Sequence, residues 1–351
     1  MEQGQADVRM PIAIIGLGGI GRAHLLHALA SAHVRPVAVA DPAPAAQVFA
    51  RTHGVPWFAD HRELLDRTRA QAAIVATPNG AHVGVGLDCI ARGLVVLVEK
   101  PIADTVAEAR RLCDAAAAAN LPVLVGHQRR HSPYVRRARQ LIDDGVIGRP
   151  VSIVAMATWL KPDPYFETEW RRSPGGGPVL INLIHDIDML RHLVGDVASV
   201  QASTSSAIRG FAVEDTAAVI LRFANGALGT VAGSDAAVAP WNYDLAAGEA
   251  AHYPQQHVDA MFISGTEGSM TLPRLSVWRY RGARGWHEPL SEERTAVHRY
   301  DPYLEQLRHL RAVVEGAEAP LCSGIDGLRT LAATRAVLDA ADSGRPVVPG
   351  A

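Results

Sequence analysis

Apolar residues in the first third of the chain gather into short runs at 12–15, 36–40, 72–76, 94–98 and 122–125. Longer mixed segments with helical spacing lie between them, at 20–30, 43–53, 81–92 and 105–119. Strands alternating with helices of about 10–15 residues predict βαβ units and a parallel sheet. The runs are continuous rather than alternating, as expected of strands covered on both faces.

Beyond residue 127 the pattern changes. A helix is predicted over 134–143 and a long strand over 151–159, followed by the Gly/Pro-rich break SPGGGP at 173–178. A helical stretch at 181–194 comes next. From 197 to 278 short strands are punctuated by turns such as Asn225-Gly226 and Glu267-Gly268, the mark of a mostly antiparallel sheet. Two helices close the chain, at 302–315 and 325–342, while 237–256 reads as a loop near the site. The fold class is therefore α/β: a doubly wound parallel domain over 1–127, then an α+β domain with a large open sheet over 128–351.

Composition narrows this picture without redirecting it. The 351 residues carry a net charge of −2, with 48% apolar and 20% charged, which suits globular domains and gives no overall basis for binding a polyanion. Three cysteines, Cys89, Cys113 and Cys322, form no CxxC pair, which argues against a disulfide framework or a cysteine zinc site. The amino-terminal residues lack the signature of a signal or transit peptide, and no apolar run is long enough to span a bilayer. The expectation is a cytoplasmic protein that binds neither nucleic acid nor membrane.

Candidate chemistry begins at Gly16-Leu17-Gly18-Gly19-Ile20-Gly21, a GxGxxG directly after a strand and at the start of a helix. In that context Gly16 permits a tight turn, Gly18 allows backbone to approach a pyrophosphate, and Gly21 lets helix and strand pack closely. Backbone N–H groups at the helix start would receive the phosphates. The next strand ends at Asp41, 20 residues beyond Gly21. A carboxylate there binds ribose hydroxyls and repels a 2′-phosphate, so NAD is preferred over NADP.

With Glu99-Lys100-Pro101 added, the sequence resembles the Gfo/Idh/MocA oxidoreductases over nearly its whole length. The shared motifs are GLGGIG with His24, ATPNGAH at 76–82, EKP at 99–101, VGHQRRHSP at 125–133, GGGPVLINLIHDID at 175–188 and SGIDGLR at 323–329. The resemblance implies a Rossmann domain, a second domain whose open sheet mediates a homodimer or homotetramer, and C-terminal helices that pack back on the first domain. It also implies that Thr77, Pro78, Asn79 and His82 line the cofactor. Glu99 and Lys100 would lie near its nicotinamide ribose, and Gln128 and Arg129 would face nicotinamide and substrate.

Oxidation of a secondary alcohol needs a hydride acceptor and a group to take the hydroxyl proton. Lys100 fits that role, because a partly desolvated lysine beside a cation has a lowered pKa. His185 matches the family's catalytic histidine and is suited to acid/base work. His185, Asp188 and His192 share a helix face, but no further ligands accompany them, so no metal is expected. Many polyol-oxidising relatives carry an aspartate four residues before this histidine; here that position is Ile181, with Asn182 beside it. The expected substrate contacts are Lys100, Gln128, Arg129, Trp159, Asn182 and His185. Arg130, His131, Trp241, Tyr243 and His257 are further candidates for the pocket.

These features predict an NAD-dependent dehydrogenase acting on a sugar, polyol or related cyclic alcohol. Two alternatives remain. A cis-dihydrodiol dehydrogenase would tolerate the missing aspartate, because its product rearomatises. A non-catalytic NAD-binding regulator would need neither Lys100 nor His185.

Overall fold

The computed structural model describes residues 7–350. The chain divides into two units: the part up to His131 joined by Tyr300–Leu328, and Ser132–Arg299 joined by the segment from Arg329.

In the first unit the strands are β1 (Met10–Ile15), β2 (Val34–Ala40), β3 (Trp57–Phe58), β4 (Ala72–Val75), β5 (Val95–Val98) and β6 (Val123–Val125). They form one sheet in the order β3-β2-β1-β4-β5-β6, and every pairing is parallel. Helices α1 (Gly19–Ala30), α2 (Pro44–Thr52), α3 (His61–Arg67), α4 (Asn79–Ile90) and α5 (Val106–Ala118) connect them. The order reverses between β1 and β4, the place where open α/β sheets bind ligands beyond the strand ends. Ile12, Ile14, Leu25, Val39, Ile74 and Leu97 form the core. The sequence pattern missed β3 and α3. The strand is two residues long, and α3 buries only Leu64 and Leu65, starting from a cap in which Asp60 accepts from the Arg62 N–H.

The second unit holds helices α6 (Pro133–Asp143), α7 (Ile184–Val194) and α8 (Tyr243–Ala247). Its strands are β7 (Pro150–Thr158), β8 (Val197–Ser205), β9 (Thr216–Phe223), β10 (Leu228–Ser234), β11 (Met261–Gly265), β12 (Ser269–Leu272), β13 (Ser276–Arg279) and β14 (Ser291–Arg294). These make an eight-stranded sheet in the order β14-β13-β12-β11-β7-β10-β9-β8, antiparallel except for β7 with β10. Alternation along the strands gives it two unlike faces. Ile153, Ala155, Val219, Leu221, Val231 and Ile263 point into a core shared with Val135 and Leu141 of α6 and Ile187 and Leu190 of α7. The stretch read as a loop at 237–256 contains the short helix α8, whose Tyr243 is buried.

Two C-terminal helices follow, α9 (Pro302–Val314) and α10 (Gly324–Ser343). Leu307, Leu310 and Val313 of α9 complete the core of the first unit. The expectation that both helices pack on that unit needs correction for α10. Its first residues belong to the first unit, but Ala333, Ala336, Val337 and Ala340 sit in the core of the second. The first excursion of the chain likewise ends at His131 rather than 127, because the turn Gln128–His131 stays with the first unit.

α10 is tied to α7 by a buried polar bridge. Thr330 Oγ1 donates to Asp188 Oδ1 at 2.8 Å and accepts from Arg191 Nη1 at 2.7 Å. Thr330→Val keeps the shape of the side chain but removes both bonds, at a cost of about 2 kcal/mol. Thermal unfolding of the variant should show a fall in Tm of roughly 4–8 °C.

Candidate active site

The nucleotide loop is shaped by two close approaches. Gly16 has φ +95°, and a Cβ there would lie 2.5 Å from the Ala76 carbonyl. A Cβ on Gly21 would lie 1.9 Å from the Gly16 carbonyl oxygen, so the first turn of α1 sits directly on the end of β1. Gly18 and Gly19 differ, since a Cβ on either meets no protein atom within 4 Å. Nothing among the described residues requires glycine at those two positions, and the space they leave lies beside the N–H groups that begin α1. No acidic residue occupies that first turn. An anionic pyrophosphate fits this cradle.

Asp41 completes it. Its Oδ2 accepts the Leu17 N–H at 2.7 Å and its Oδ1 the Ala43 N–H at 2.8 Å, which ties the glycine loop to the end of β2. A carboxylate has about four acceptor sites, so capacity remains for ribose hydroxyls. After β4, the Thr77 hydroxyl oxygen is buried and meets no hydrogen-bond partner among the described residues. Pro78 caps α4, and Asn79 opens it. His82 is buried, with Nδ1 2.8 Å from the Pro101 carbonyl oxygen and Nε2 2.8 Å from that of Thr77. It clamps the loops after β4 and β5 together, and its ring has no open nitrogen for a cofactor.

The EKP segment follows β5. Glu99 is buried, with its Oε1 2.8 Å from His24 Nε2 of α1. Burial works to raise its carboxyl, but the His24 hydrogen bond and the charges of His24 and Lys100 outweigh it, so Glu99 titrates below the usual range. Its side chain therefore turns into the protein rather than toward a ribose. Lys100 is half-buried, as is Gln128 in the turn after β6, whereas Arg129, Arg130 and His131 are buried. Arg130 donates to the Leu321 carbonyl at 2.9 Å and lies 3.8 Å from Asp326. His131 packs its ring 5.2 Å from that of His309. Both are thereby committed to the chain's own packing.

In the second unit the SPGGGP break leads into a wide π-helical turn, Val179–Leu183, which runs into α7. This turn carries Ile181 and Asn182, and His185 follows at the start of α7; all three are half-buried. π turns are rare and recur at functional sites. Asn182 Oδ1 and, at the end of β7, Trp159 Nε1 are buried without a hydrogen-bond partner among the described residues. Trp159 stands edge-on to Tyr253, with centroids 5.4 Å apart. Tyr243 lies elsewhere, its hydroxyl 2.7 Å from Ser132 Oγ, while Trp241 and His257 are exposed. Asp188 is engaged by Thr330, and no cluster of three or more metal-ligating side chains occurs among the described residues.

Sequence reasoning missed two features here. Glu214 accepts the Val179 N–H at 2.9 Å, and its carboxyl occupies the space a Cβ on Gly177 would need. Burial pushes the Glu214 carboxyl up and Asp235 adds to this, against the Val179 N–H and Lys161. Lys161 and Arg209 both pair with buried Asp235, at 3.3 and 2.9 Å. The third glycine of GGGP was the available signal for Glu214. Nothing local marks Asp235, whose partners lie 74 and 26 positions away.

The chain matches the Gfo/Idh/MocA family over most of its length. Residues 10–127 match the oxidoreductase family's NAD-binding Rossmann fold, and residues 135–271 match its C-terminal domain. It is 28% identical to the rhizopine catabolism protein MocA of Rhizobium meliloti over 58% of this chain and 64% of that protein, less than two thirds of the relative's length. It is 26% identical to scyllo-inositol 2-dehydrogenase (NAD(+)) of Bacillus subtilis over 95% of each chain. In fold it is similar to levoglucosan dehydrogenase solved with NADH and levoglucosan, with a TM-score of 0.80 and 24% identity over 98% of this chain and all of that one. With both of its domain models matched, this chain belongs to the Gfo/Idh/MocA oxidoreductase family.

Proposed function

We propose that this dehydrogenase oxidises a secondary alcohol of a sugar, polyol or related cyclic alcohol, with Lys100 and His185 handling the hydroxyl proton. The observation that carries this reading is a pair of orphaned polar atoms, one in the turn before α7 and one at the end of β7. Trp159 Nε1 is a buried donor and Asn182 Oδ1 a buried acceptor, each without a partner among the described residues. Buried polar groups cost free energy unless bonded, and a hydroxylated ligand both donates and accepts. Relatives named for scyllo-inositol and levoglucosan support the same substrate class.

Bound NAD supplies the hydride acceptor. The chain's own residues do the rest. Gly18, Gly19, Ile20 and Gly21 hold phosphates through main-chain N–H groups, Asp41 holds the adenosine ribose, and Thr77, Pro78, Asn79 and Gln128 line the cofactor. Lys100 Nζ, in its base form, takes the proton from the reacting hydroxyl. His185 orients that hydroxyl and relays the proton outward, while Asn182, Trp159, Gln128 and Arg129 hold the substrate. Ile181 offers no carboxylate, so substrate orientation passes to the amide of Asn182. Cys89, Cys113 and Cys322 are buried as thiols, which supports a reducing, cytoplasmic setting.

We further infer that a second copy covers the outward face of the eight-stranded sheet. Ile220 pairs with Thr230, Thr230 with Val154 and Val154 with Phe262, forming one row across four strands. Ile220, Val154 and Phe262 are 48%, 46% and 38% exposed. Apolar side chains continuous across an open sheet mark an interaction surface.

Three outcomes are expected. Lys100→Ala and His185→Ala should each lower kcat by about 100-fold or more, with NAD affinity within a few-fold of wild type. NADH formation over a panel of polyols, aldoses and dihydrodiols measures this, and unchanged rates refute the assignment. Tight NAD binding with no turnover anywhere on the panel would favour the regulator. Asp41→Asn should weaken NAD by about tenfold and narrow the preference over NADP, because it removes the charge that repels a 2′-phosphate. Ile220→Glu should shift the protein to monomer in light scattering, while thermal unfolding stays close to wild type.

A further inference from the structure

The Glu99 carboxylate is walled off from water. It is 5% exposed, and a Cβ on Gly126 would lie 2.6–3.0 Å from its carboxyl atoms, so bare backbone closes over it. One oxygen meets His24 Nε2 at 2.8 Å, and the other accepts the main-chain N–H of Lys100 at 3.1 Å. His24 is itself fully buried, and its ring stands edge-on to Tyr303 with centroids 5.7 Å apart. Nε2 faces the carboxylate, whereas Nδ1 is buried with no hydrogen-bond partner among the described residues. The Glu99 carboxylate is thus sealed beside Lys100, the residue given the substrate proton above.

We propose that the buried His24–Glu99 pair sets how tightly Lys100 holds its proton, with Glu99 supplying the charge and His24 the hydrogen bond that keeps it ionised. A charge out of water acts on its neighbours several-fold more strongly than an exposed one, and a negative charge favours the ammonium form of lysine. This opposes the lowering that desolvation alone would bring. Other titratable groups near the segment are His82 of α4, bonded to the Pro101 carbonyl, Asp104 in the following loop beside Gly80, and His127 after β6. Among these, Glu99 is the one whose carboxylate bonds the Lys100 main chain. Its assigned place is therefore as a positioning and charge-setting residue, not as a ribose contact.

This inference rests on the role given to Lys100 above, but its test needs no turnover. The full-length protein without NAD is acetylated across a pH series, and labelling of the Lys100 peptide is read by mass spectrometry. Glu99→Gln should lower the pH of half-reaction by about one unit, a tenfold change in proton affinity. His24→Leu strips the donor, leaves a buried carboxylate that takes up a proton, and should lower the midpoint in the same direction. His24→Gln retains a donor and should leave the midpoint where it is. Should Glu99→Gln fail to fold by thermal unfolding, the two His24 variants decide the matter. Midpoints unchanged or raised in Glu99→Gln and His24→Leu overturn the proposal, as does an equal fall in His24→Gln. NADH formation by the wild type on the alcohol panel reports on the dehydrogenase reading separately.

Discussion

The absence of a side chain at Gly21 governs the first unit. With only 1.9 Å between a Cβ there and the Gly16 carbonyl oxygen, α1 can pack against the end of β1 only because this residue is glycine. That contact aims the leading N–H groups of α1 at the space beside Gly18 and Gly19. It also fixes the height of α1 along the sheet, and so puts His24, one turn further on, at Glu99. Lys100 then takes its main-chain position from the Glu99 carboxylate. Cofactor cradle and candidate proton acceptor thus depend on one helix–strand contact, transmitted through a buried carboxylate.

The second unit is organised by buried polar groups that satisfy one another across long stretches of sequence. Thr330 links Asp188 and Arg191, Asp235 links Lys161 and Arg209, and Glu214 holds the turn before α7. Each bond between buried groups restricts which packing is acceptable, since a partner left unmade costs more than the bond contributes. Beside those bonded groups, the orphaned atoms of Trp159 and Asn182 carry information. They are the polar groups of the turn and of the β7 end that the fold itself leaves unanswered.

Much of this was legible from residues alone where the chemistry is local. GLGGIG lies on the turn its glycines require, Asp41 ends the next strand and bonds the glycine loop, and EKP follows β5. The outcome differs for residues chosen by type rather than by pattern. Arg130, His131 and Tyr243 are polar residues near matching motifs, yet each is consumed by internal bonds or packing. His82 and Glu99 keep their places in the motifs but turn inward, toward backbone carbonyls and His24. Their side-chain directions depend on neighbours 19 and 75 positions away, which no local pattern reports.

By itself, the sequence determined the parallel sheet, the glycine loop and the NAD-binding fold, because runs, glycines and capping residues act within a few positions of themselves. Tertiary structure decided which polar groups are answered and which remain open. It set Ala333, Ala336, Val337 and Ala340 of α10 in the core of the second unit, brought Glu214 to the turn that bears Ile181, and sealed a charge beside Lys100. These results depend on burial and on partners far apart in the chain, and a hydrogen bond or a desolvated charge exists only once both are in place.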